Sequence, residues 1–252
     1  MNSWAMLTLL VLAARPGFED GAPVLRATGV AGALAERSAP TAATWDRAEE
    51  FRIPLRMTPP HMRTDEMPVQ SIDTLEVRAL AAADGVAIRI AWRDGTADYP
   101  PSRTREIGSF PDAVAVQFPT GTSGRVLPAL AMGSPETPVN IWRWSAGSDQ
   151  AEESVSEGFG LLQAIDGEPQ PVGAAAVRVD GGWAVTLWRP YEVAPMVTYR
   201  GSVPGTARQA ERVAIEPGAR LPCAFAVWNG SYEDRDGLKG VSIWYYLQLP
   251  AR

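Results

Sequence analysis

Apolar and polar residues alternate along most of the chain, a pattern typical of β-strands that bury one face. The alternation predicts eight strands, at residues 74–80, 86–92, 113–118, 139–144, 174–179, 183–189, 223–228 and 241–249. Two pairs of these strands are predicted to form hairpins, because the turns Ala83-Asp84-Gly85 and Asp180-Gly181-Gly182 between them contain the residues that tight turns favour.

Helical periodicity is confined to residues 44–51 and 206–212, and residues 145–158 and 189–205 are predicted to be long loops. The 23 glycines and 22 prolines interrupt the strand pattern at turns. We therefore predict an all-β fold, an antiparallel β-sandwich with long loops and a few short helices. A chain of 252 residues suits one such domain, which we place at residues 25–252.

The amino-terminal segment 1–24 is predicted to be a leader. Its apolar stretch, residues 4–14, is too short to span a bilayer as a helix but has the length of a signal-peptide core. No Lys or Arg precedes this stretch, so an incorrectly assigned start, or export together with a partner, explains the segment equally well. No other stretch approaches 18 apolar residues, and we expect no membrane span.

Composition excludes several kinds of site. A net charge of −6 with interspersed signs disfavours a nucleic-acid-binding role. A single cysteine, Cys223, excludes an internal disulfide, an iron–sulfur cluster and a covalently attached haem. A single histidine, His61, excludes the usual zinc sites and a bis-His haem. Among 23 basic residues only Lys239 is a lysine, and arginine cannot replace a lysine that must lose its proton.

One proline-rich loop combines methionine and histidine. Residues 56–67 hold Met57, His61, Met62 and Met67, and thioethers with an imidazole are ligands that suit a soft copper site. The alternative is a crossover loop whose methionines fill gaps in the core, and we favour this alternative because the spacing matches no fixed ligand geometry.

Two further loops carry candidate ligands. In residues 126–144, Met132 ends an apolar run and is followed at once by Gly133. In residues 229–240, Lys239 lies in a loop that also holds Glu233, Asp234 and Asp236. On composition alone, core filling is the favoured explanation for Met132, and the alternative for the second loop is a solvated hairpin tip with a weak ion pair.

Together these two loops resemble a known family. The tail AFAVWNGSYEDRDGLKGVSIWYYLQL and the segment MGSPETPVNIWRWSA are similar to motifs of the haem b-binding γ subunits of type II molybdenum enzymes in the dimethyl sulfoxide reductase family. These enzymes include ethylbenzene dehydrogenase, dimethylsulfide dehydrogenase, selenate reductase and chlorate reductase. TWDRAEEFRIPL, FPDAVAVQFP and GGWAVTLWRPYE extend the resemblance over about residues 25–249.

The resemblance implies a periplasmic electron-transfer subunit with one non-covalent haem b per chain. It implies that Met132 and Lys239 are the axial iron ligands. The implied partners are a molybdopterin-containing α subunit, an iron–sulfur β subunit and an external c-type cytochrome, and the subunit itself is not an enzyme. Carrying the motifs over also places Trp142, Trp228 and Trp244 beside the ligands.

Some finer expectations follow from that resemblance. Further aromatic residues flank the ligands in sequence, namely Trp144, Phe225 and Tyr245. Arg143 or Arg189 is expected to pair with a haem propionate, since guanidinium groups favour carboxylates. We expect the pocket between the two sheets, at one end of the sandwich.

Two other classes of protein remain as alternatives. A carbohydrate-binding β-sandwich module without haem would use exposed tryptophans to stack on sugar rings. A copper-handling protein would use the loop at residues 56–67, and His61 is also a rival ligand for iron. An independent enzyme is disfavoured, because no nucleophile–base pair or carboxylate pair stands out in the sequence.

Overall fold

The computed structural model of the chain describes residues 21–34, 39–57, 72–100, 110–121, 127–165, 170–200 and 206–252. Within these residues the chain forms seventeen β-strands and little helix. The strands are β1 Val24–Arg26, β2 Thr28–Gly29, β3 Phe51–Pro54, β4 Arg56–Met57, β5 Thr74–Ala81, β6 Gly85–Arg93, β7 Ala113–Pro119, β8 Val139–Ser145, β9 Glu152–Ser156, β10 Leu162–Ala164, β11 Gly173–Val179, β12 Gly182–Pro190, β13 Met196–Arg200, β14 Ala207–Glu211, β15 Arg220–Trp228, β16 Gly240–Val241 and β17 Tyr245–Gln248.

The strands form two main sheets and one small one. A nine-stranded sheet has the order β1-β17-β15-β7-β8-β9-β10, with β16 between β15 and β4. A six-stranded sheet has the order β11-β12-β6-β5-β2, and β3 also pairs with β5. Strands β13 and β14 pair with each other. The described strand pairs are antiparallel except β1 with β17 and β2 with β5, which are parallel, so the predicted all-β sandwich is confirmed with mixed sheets.

The main hydrophobic core lies between the two large sheets. Alternate residues of β7 and β8, such as Val116 and Trp142, belong to one buried cluster with alternate residues of β6 and β12, such as Ile90 and Leu187. Side chains on a strand alternate between its two faces, so the intervening residues of β7 and β8 point away from this core. That outer face of the nine-stranded sheet carries the candidate site.

Both predicted hairpins are confirmed. Strands β5 and β6 pair in antiparallel register, as do β11 and β12. At the second turn Asp180 and Gly181 have φ values of 46° and 71°. These positive angles are what a two-residue hairpin turn of the mirror-image type requires, and an Asp-Gly pair adopts them at low energetic cost.

The two predicted helices are wrong in different ways. Residues 44–51 form only the short 3₁₀ helix Ala43–Arg47 before β3 begins at Phe51, where the chain pairs with β5 instead. Residues 206–212 form β14, whose pairing with β13 satisfies the backbone hydrogen bonds that a helix would have made internally. In the first place pairing with β5, and in the second place pairing with the preceding strand β13, prevails over local periodicity.

The two predicted long loops and the last strand also need correction. The segment 145–158 contains β9 and the segment 189–205 contains β13. The strand predicted at residues 241–249 is divided into β16 and β17, because the Ser242 hydroxyl accepts the Phe225 backbone N–H where the ladder would otherwise continue. Among the residues described, none belongs to a helix long and apolar enough to cross a membrane.

Candidate functional site

A cavity of about 480 Å³ lies on the outer face of the nine-stranded sheet. Its floor is made by outward-facing side chains of three neighbouring strands: Ala115 and Gln117 of β7, Ile141 and Arg143 of β8, and Ala224 and Ala226 of β15. The expectation of a pocket between the two sheets is therefore wrong, because large apolar side chains fill that space.

The loop between β7 and β8 forms one wall of the cavity and carries Met132. Two side chains hold this loop against the sheet. The Gln117 amide donates a hydrogen bond to the Leu130 carbonyl (3.1 Å), and the Trp244 indole N–H donates one to the Pro128 carbonyl (3.2 Å). These hydrogen bonds fix the loop at Pro128 and Leu130, just before the methionine.

The backbone at Met132 and Gly133 is unusual. Both residues have positive φ values, 70° and 78°, and the left-handed conformation costs a non-glycine residue about 1–2 kcal/mol. A Cβ atom at Gly133 would lie 2.7 Å from the Thr137 carbonyl oxygen, so only glycine fits there. The Met-Gly pair therefore makes a tight turn that aims the methionine at the cavity.

The loop between β15 and β16 also lines the cavity and carries Lys239. The buried Asp112 carboxylate accepts the Gly230 backbone N–H (3.0 Å), and it also accepts the Trp183 indole N–H (2.9 Å). Further along the loop, the Trp228 indole N–H donates to the Asp236 carbonyl (3.2 Å). These contacts fold the glycine-rich loop back over the sheet and place Lys239 above the cavity floor.

The structure brings Met132 and Lys239 into contact. The Lys239 Nζ lies 3.1 Å from the Met132 Sδ, although the two residues are 107 positions apart in the chain. Only 4% of Lys239 is exposed, and its Nζ lies 4.9 Å from the centre of the Trp228 ring. The two candidate ligands singled out in the sequence are therefore neighbours at one cavity.

Burial changes the acidity of Lys239. The pKa of Lys239 is lowered from 10.5 to about 8, chiefly because burial removes the ammonium from water and secondarily because Arg143 is nearby, while Asp236 acts in the opposite direction. Burial likewise lowers the pKa of Arg143, although Glu152 at 3.7 Å opposes this. The amine thus loses its proton closer to neutral pH than an exposed lysine does.

The predicted aromatic neighbours occupy different places. Trp228 lines the cavity, and Trp244 packs with Met132 against the apolar cluster behind it. Trp142 lies on the opposite face of the sheet, in the main core beside Phe118. Because that face points away from the cavity, we correct its predicted place beside a cofactor.

The remaining flanking residues divide in the same way. Trp144 and Tyr245 belong to the main core, and Phe225 belongs to it as well while also contacting the cavity. Arg143 lines the cavity, whereas Arg189 is buried in the core over the Trp142 ring and donates to the Val213 carbonyl. Arg189 is therefore not placed to bind a group in the cavity.

The methionine–histidine loop is only partly described. Met57 ends β4 and pairs with Gly240, the residue after Lys239. His61, Met62 and Met67 lie outside the described residues. In the described part of the chain, no group of three or more His, Cys, Asp or Glu side chains could hold a metal ion.

Two residues of the site were missed in the sequence. Asp112 organises the Lys239 loop, and Phe159 lies with its ring 5.9 Å from Lys239 Nζ. An aspartate before a strand is too common to stand out. The Gly158-Phe159-Gly160 triplet was a usable signal, since an aromatic residue between two glycines is unusual for a solvated turn.

This arrangement suits ligation more than acid–base chemistry. A thioether sulfur and an amine of lowered pKa are both electron-pair donors, and such donors bind transition metals. The surrounding cavity has the size of small-molecule and cofactor sites, about 300–1,000 Å³.

Comparisons with known proteins agree on one family. Residues 42–173, just over half of the chain, match the sequence model of the family described as ethylbenzene dehydrogenase. The chain is 30% identical over 248 residues to chlorate reductase subunit gamma of Ideonella dechloratans, covering 97% of this chain and 92% of that one.

Two more relatives have similar identity. A Haloferax mediterranei protein named as a respiratory nitrate reductase haem subunit is 30% identical over 208 residues, which is 82% of this chain and 67% of that protein. Dimethylsulfide dehydrogenase subunit gamma of Rhodovulum sulfidophilum is 30% identical over 218 residues, covering 81% and 72%.

A solved structure shares the fold. A Bacteroides uniformis protein described as carbohydrate-binding superposes with a TM-score of 0.52 over 91% of this chain and 100% of that chain, at 7% sequence identity. At that identity the likeness concerns the sandwich fold alone.

Proposed function

The chain belongs to the ethylbenzene dehydrogenase family, and from this premise we propose that it is the haem-binding γ subunit of a periplasmic molybdenum oxidoreductase. In this proposal Met132 and Lys239 hold one non-covalent haem b. The subunit passes single electrons between an iron–sulfur β subunit and a soluble c-type cytochrome, and catalysis belongs to a molybdopterin α subunit.

One observation carries the proposal. A sulfur and an amine nitrogen that belong to distant loops lie 3.1 Å apart at the wall of a cavity with a largely apolar floor. The pair includes the chain's one lysine. Relatives named as γ or haem subunits support the same assignment.

The donor set fits a haem. Methionine and neutral lysine can each donate one electron pair, and alanine side chains leave the sheet face flat where a planar ligand would lie. Met132 and Lys239 would hold the group through their sulfur and nitrogen atoms, which lie 3.1 Å apart in the ligand-free chain. The rotatable bonds of both side chains would let these atoms separate to admit it.

Each residue has a defined task in this proposal. Lys239 releases its proton before ligation, and burial of the amine makes that release easier. Arg143 at the cavity floor is the candidate partner for a propionate, and Trp228 and Trp244 pack around the ligands. A bound haem would supply a one-electron centre, and two protein ligands leave no iron position open for a substrate.

Visible absorption of the ligand-free chain titrated with haemin tests the proposal. We expect stoichiometric binding and, after reduction, the sharp α and β bands of low-spin haem. Met132→Ala and Lys239→Ala should each give a high-spin spectrum or lose haem. Met196→Ala is the matched control, because Met196 is 46% exposed on β13 and does not line the cavity.

Two outcomes would contradict the proposal. Unchanged low-spin spectra in both ligand variants would exclude these residues as ligands. The absence of any haem-specific absorbance, with binding of oligosaccharide instead, would favour the carbohydrate-binding alternative.

The external redox partner is tested separately. The chain's net charge of −6 supports steering of a basic cytochrome, and such steering weakens as salt screens the charges. The rate of electron transfer from the haem-loaded chain to a basic c-type cytochrome should fall as ionic strength rises. A rate that is independent of salt would contradict this part of the proposal.

A further inference from the structure

We infer that Phe159 shields Lys239 and prevents outside ligands from displacing its amine. The role at iron rests on the proposed function, whereas the shielding itself is a property of the ligand-free chain. The inference rests on a contact between Lys239 and an exposed aromatic ring.

The environment of Lys239 is asymmetric. Trp228 is only 8% exposed and Met132 is half-buried, whereas Phe159 is 42% exposed. The Phe159 ring nevertheless lies 5.9 Å from the Lys239 Nζ, within the range of cation–π contacts. A lysine that is 4% exposed therefore has an exposed aromatic ring as one of its neighbours.

The backbone holds the ring in that place. Gly158 and Gly160 on either side of Phe159 have φ values of 137° and 74°, which disfavour other residues. The turn is closed by a hydrogen bond from the Leu161 N–H to the Gly158 carbonyl (3.1 Å), and the Ser156 hydroxyl donates to that same carbonyl (3.0 Å).

The same turn also approaches the Met132 loop. A Cβ atom built at Gly158 would lie 3.7 Å from the Gly133 carbonyl oxygen, so the two turns are in contact. Gly160 and Leu162 continue along the edge of the cavity. The Phe159 turn therefore lies beside the Met132 loop, with its ring near the Lys239 amine.

An exposed phenylalanine has no evident structural purpose at this position. Large apolar side chains stabilise a fold when they are buried, and Phe159 is not part of a described core cluster. Its removal should leave folding nearly unchanged and open a path from solvent to the amine. This makes Phe159 a positioning residue whose effect can be measured at Lys239.

The ligand-free chain offers the first test, because Lys239 is its only lysine. An amine-acylating reagent followed by peptide mass spectrometry reports the reactivity of that side chain. We expect Phe159→Ala to be acylated at Lys239 several-fold faster than wild type, and Phe159→Leu to remain close to wild type. Tyr99→Ala is the matched control, because Tyr99 is 49% exposed and packs on Trp183 instead.

The haem-loaded chain offers the second test. Cyanide or imidazole is titrated into wild type, Phe159→Ala and Tyr99→Ala, and ligand exchange is followed in the Soret band. We expect displacement at several-fold lower concentration in Phe159→Ala alone. Equal acylation rates and equal titrations in all variants would overturn the role of Phe159 while leaving haem binding intact. If wild type binds no haem, the proposed function fails, and with it the role at iron.

Discussion

Replacement of Lys239 by methionine should stabilise the ligand-free protein. The substitution keeps an unbranched side chain of similar length against Trp228 and removes a charge that is almost wholly buried. Since the charged form is disfavoured by desolvation and by Arg143, its removal relieves a penalty present in the folded state alone.

The size of the effect follows from the acidity of the amine. Burial lowers the pKa of Lys239 from 10.5 to about 8. At about 1.4 kcal/mol for each tenfold change, this difference corresponds to about 3 kcal/mol. Loss of the contacts that Nζ makes with Met132 and the Trp228 ring offsets about 1 kcal/mol of it. The expected net gain in the free energy of unfolding is thus about 2 kcal/mol below pH 8.

The gain should depend on pH with a definite sign. Between pH 8 and 10.5 the unfolded wild type binds more protons than the folded one, so its stability rises with pH. Lys239→Met lacks this contribution, and the advantage of the variant should shrink across the same window. Urea unfolding followed by tryptophan fluorescence, repeated at several pH values, measures the difference.

Lys239→Arg provides the control, because arginine retains its charge throughout this range and should show no such pH dependence. Two results would refute the reasoning. One is a Lys239→Met variant no more stable than wild type below pH 8. The other is an advantage that grows as the pH rises.

Three further substitutions or measurements test the surrounding structure. Gly133→Ala should lower the free energy of unfolding by about 1–3 kcal/mol, because a positive φ and the nearby Thr137 carbonyl disfavour a side chain. An unchanged melting temperature in thermal unfolding would contradict this. Arg212→Met should lower the free energy of unfolding by about 3–5 kcal/mol, because it leaves the buried Glu153 carboxylate without its 3.0 Å partner. The double variant Glu153→Gln/Arg212→Met should recover part of that loss, as measured by chemical denaturation. Cys223 should resist thiol alkylation until the protein unfolds, since complete burial raises the pKa of its thiol, and rapid labelling of the native chain would contradict this.

Local signals were sufficient for the strongest elements of the fold. The β5–β6 hairpin follows from strict alternation on both sides of an Asp-Gly turn, because period-two burial and turn residues act over short distances. Strands β9 and β14 lack strong alternation and exist through their pairing with the preceding strands β8 and β13. Such pairing is not encoded in any one segment, and so these strands were predicted as a loop and a helix.

The residues of the candidate site were predictable from the sequence, but their place in the fold was not. Met132 and Lys239 were identified through their motif contexts, and the structure brings them together. Met132 and Lys239 meet on the face of β7 and β8 that the six-stranded sheet does not cover. Alternation alone does not show which face this is, because both faces are apolar. Trp142 was misplaced for that reason. Its side chain belongs to the core between the sheets, and the sequence did not show which face of β8 it occupies.

X-ray absorption at the iron edge of the haem-loaded chain tests the central claim most directly, because it identifies the atoms bound to the metal. We predict one sulfur and one nitrogen beyond those of the porphyrin in wild type. The sulfur should be lost in Met132→Ala and kept in Met196→Ala. A wild-type spectrum without sulfur among the iron ligands would contradict the account.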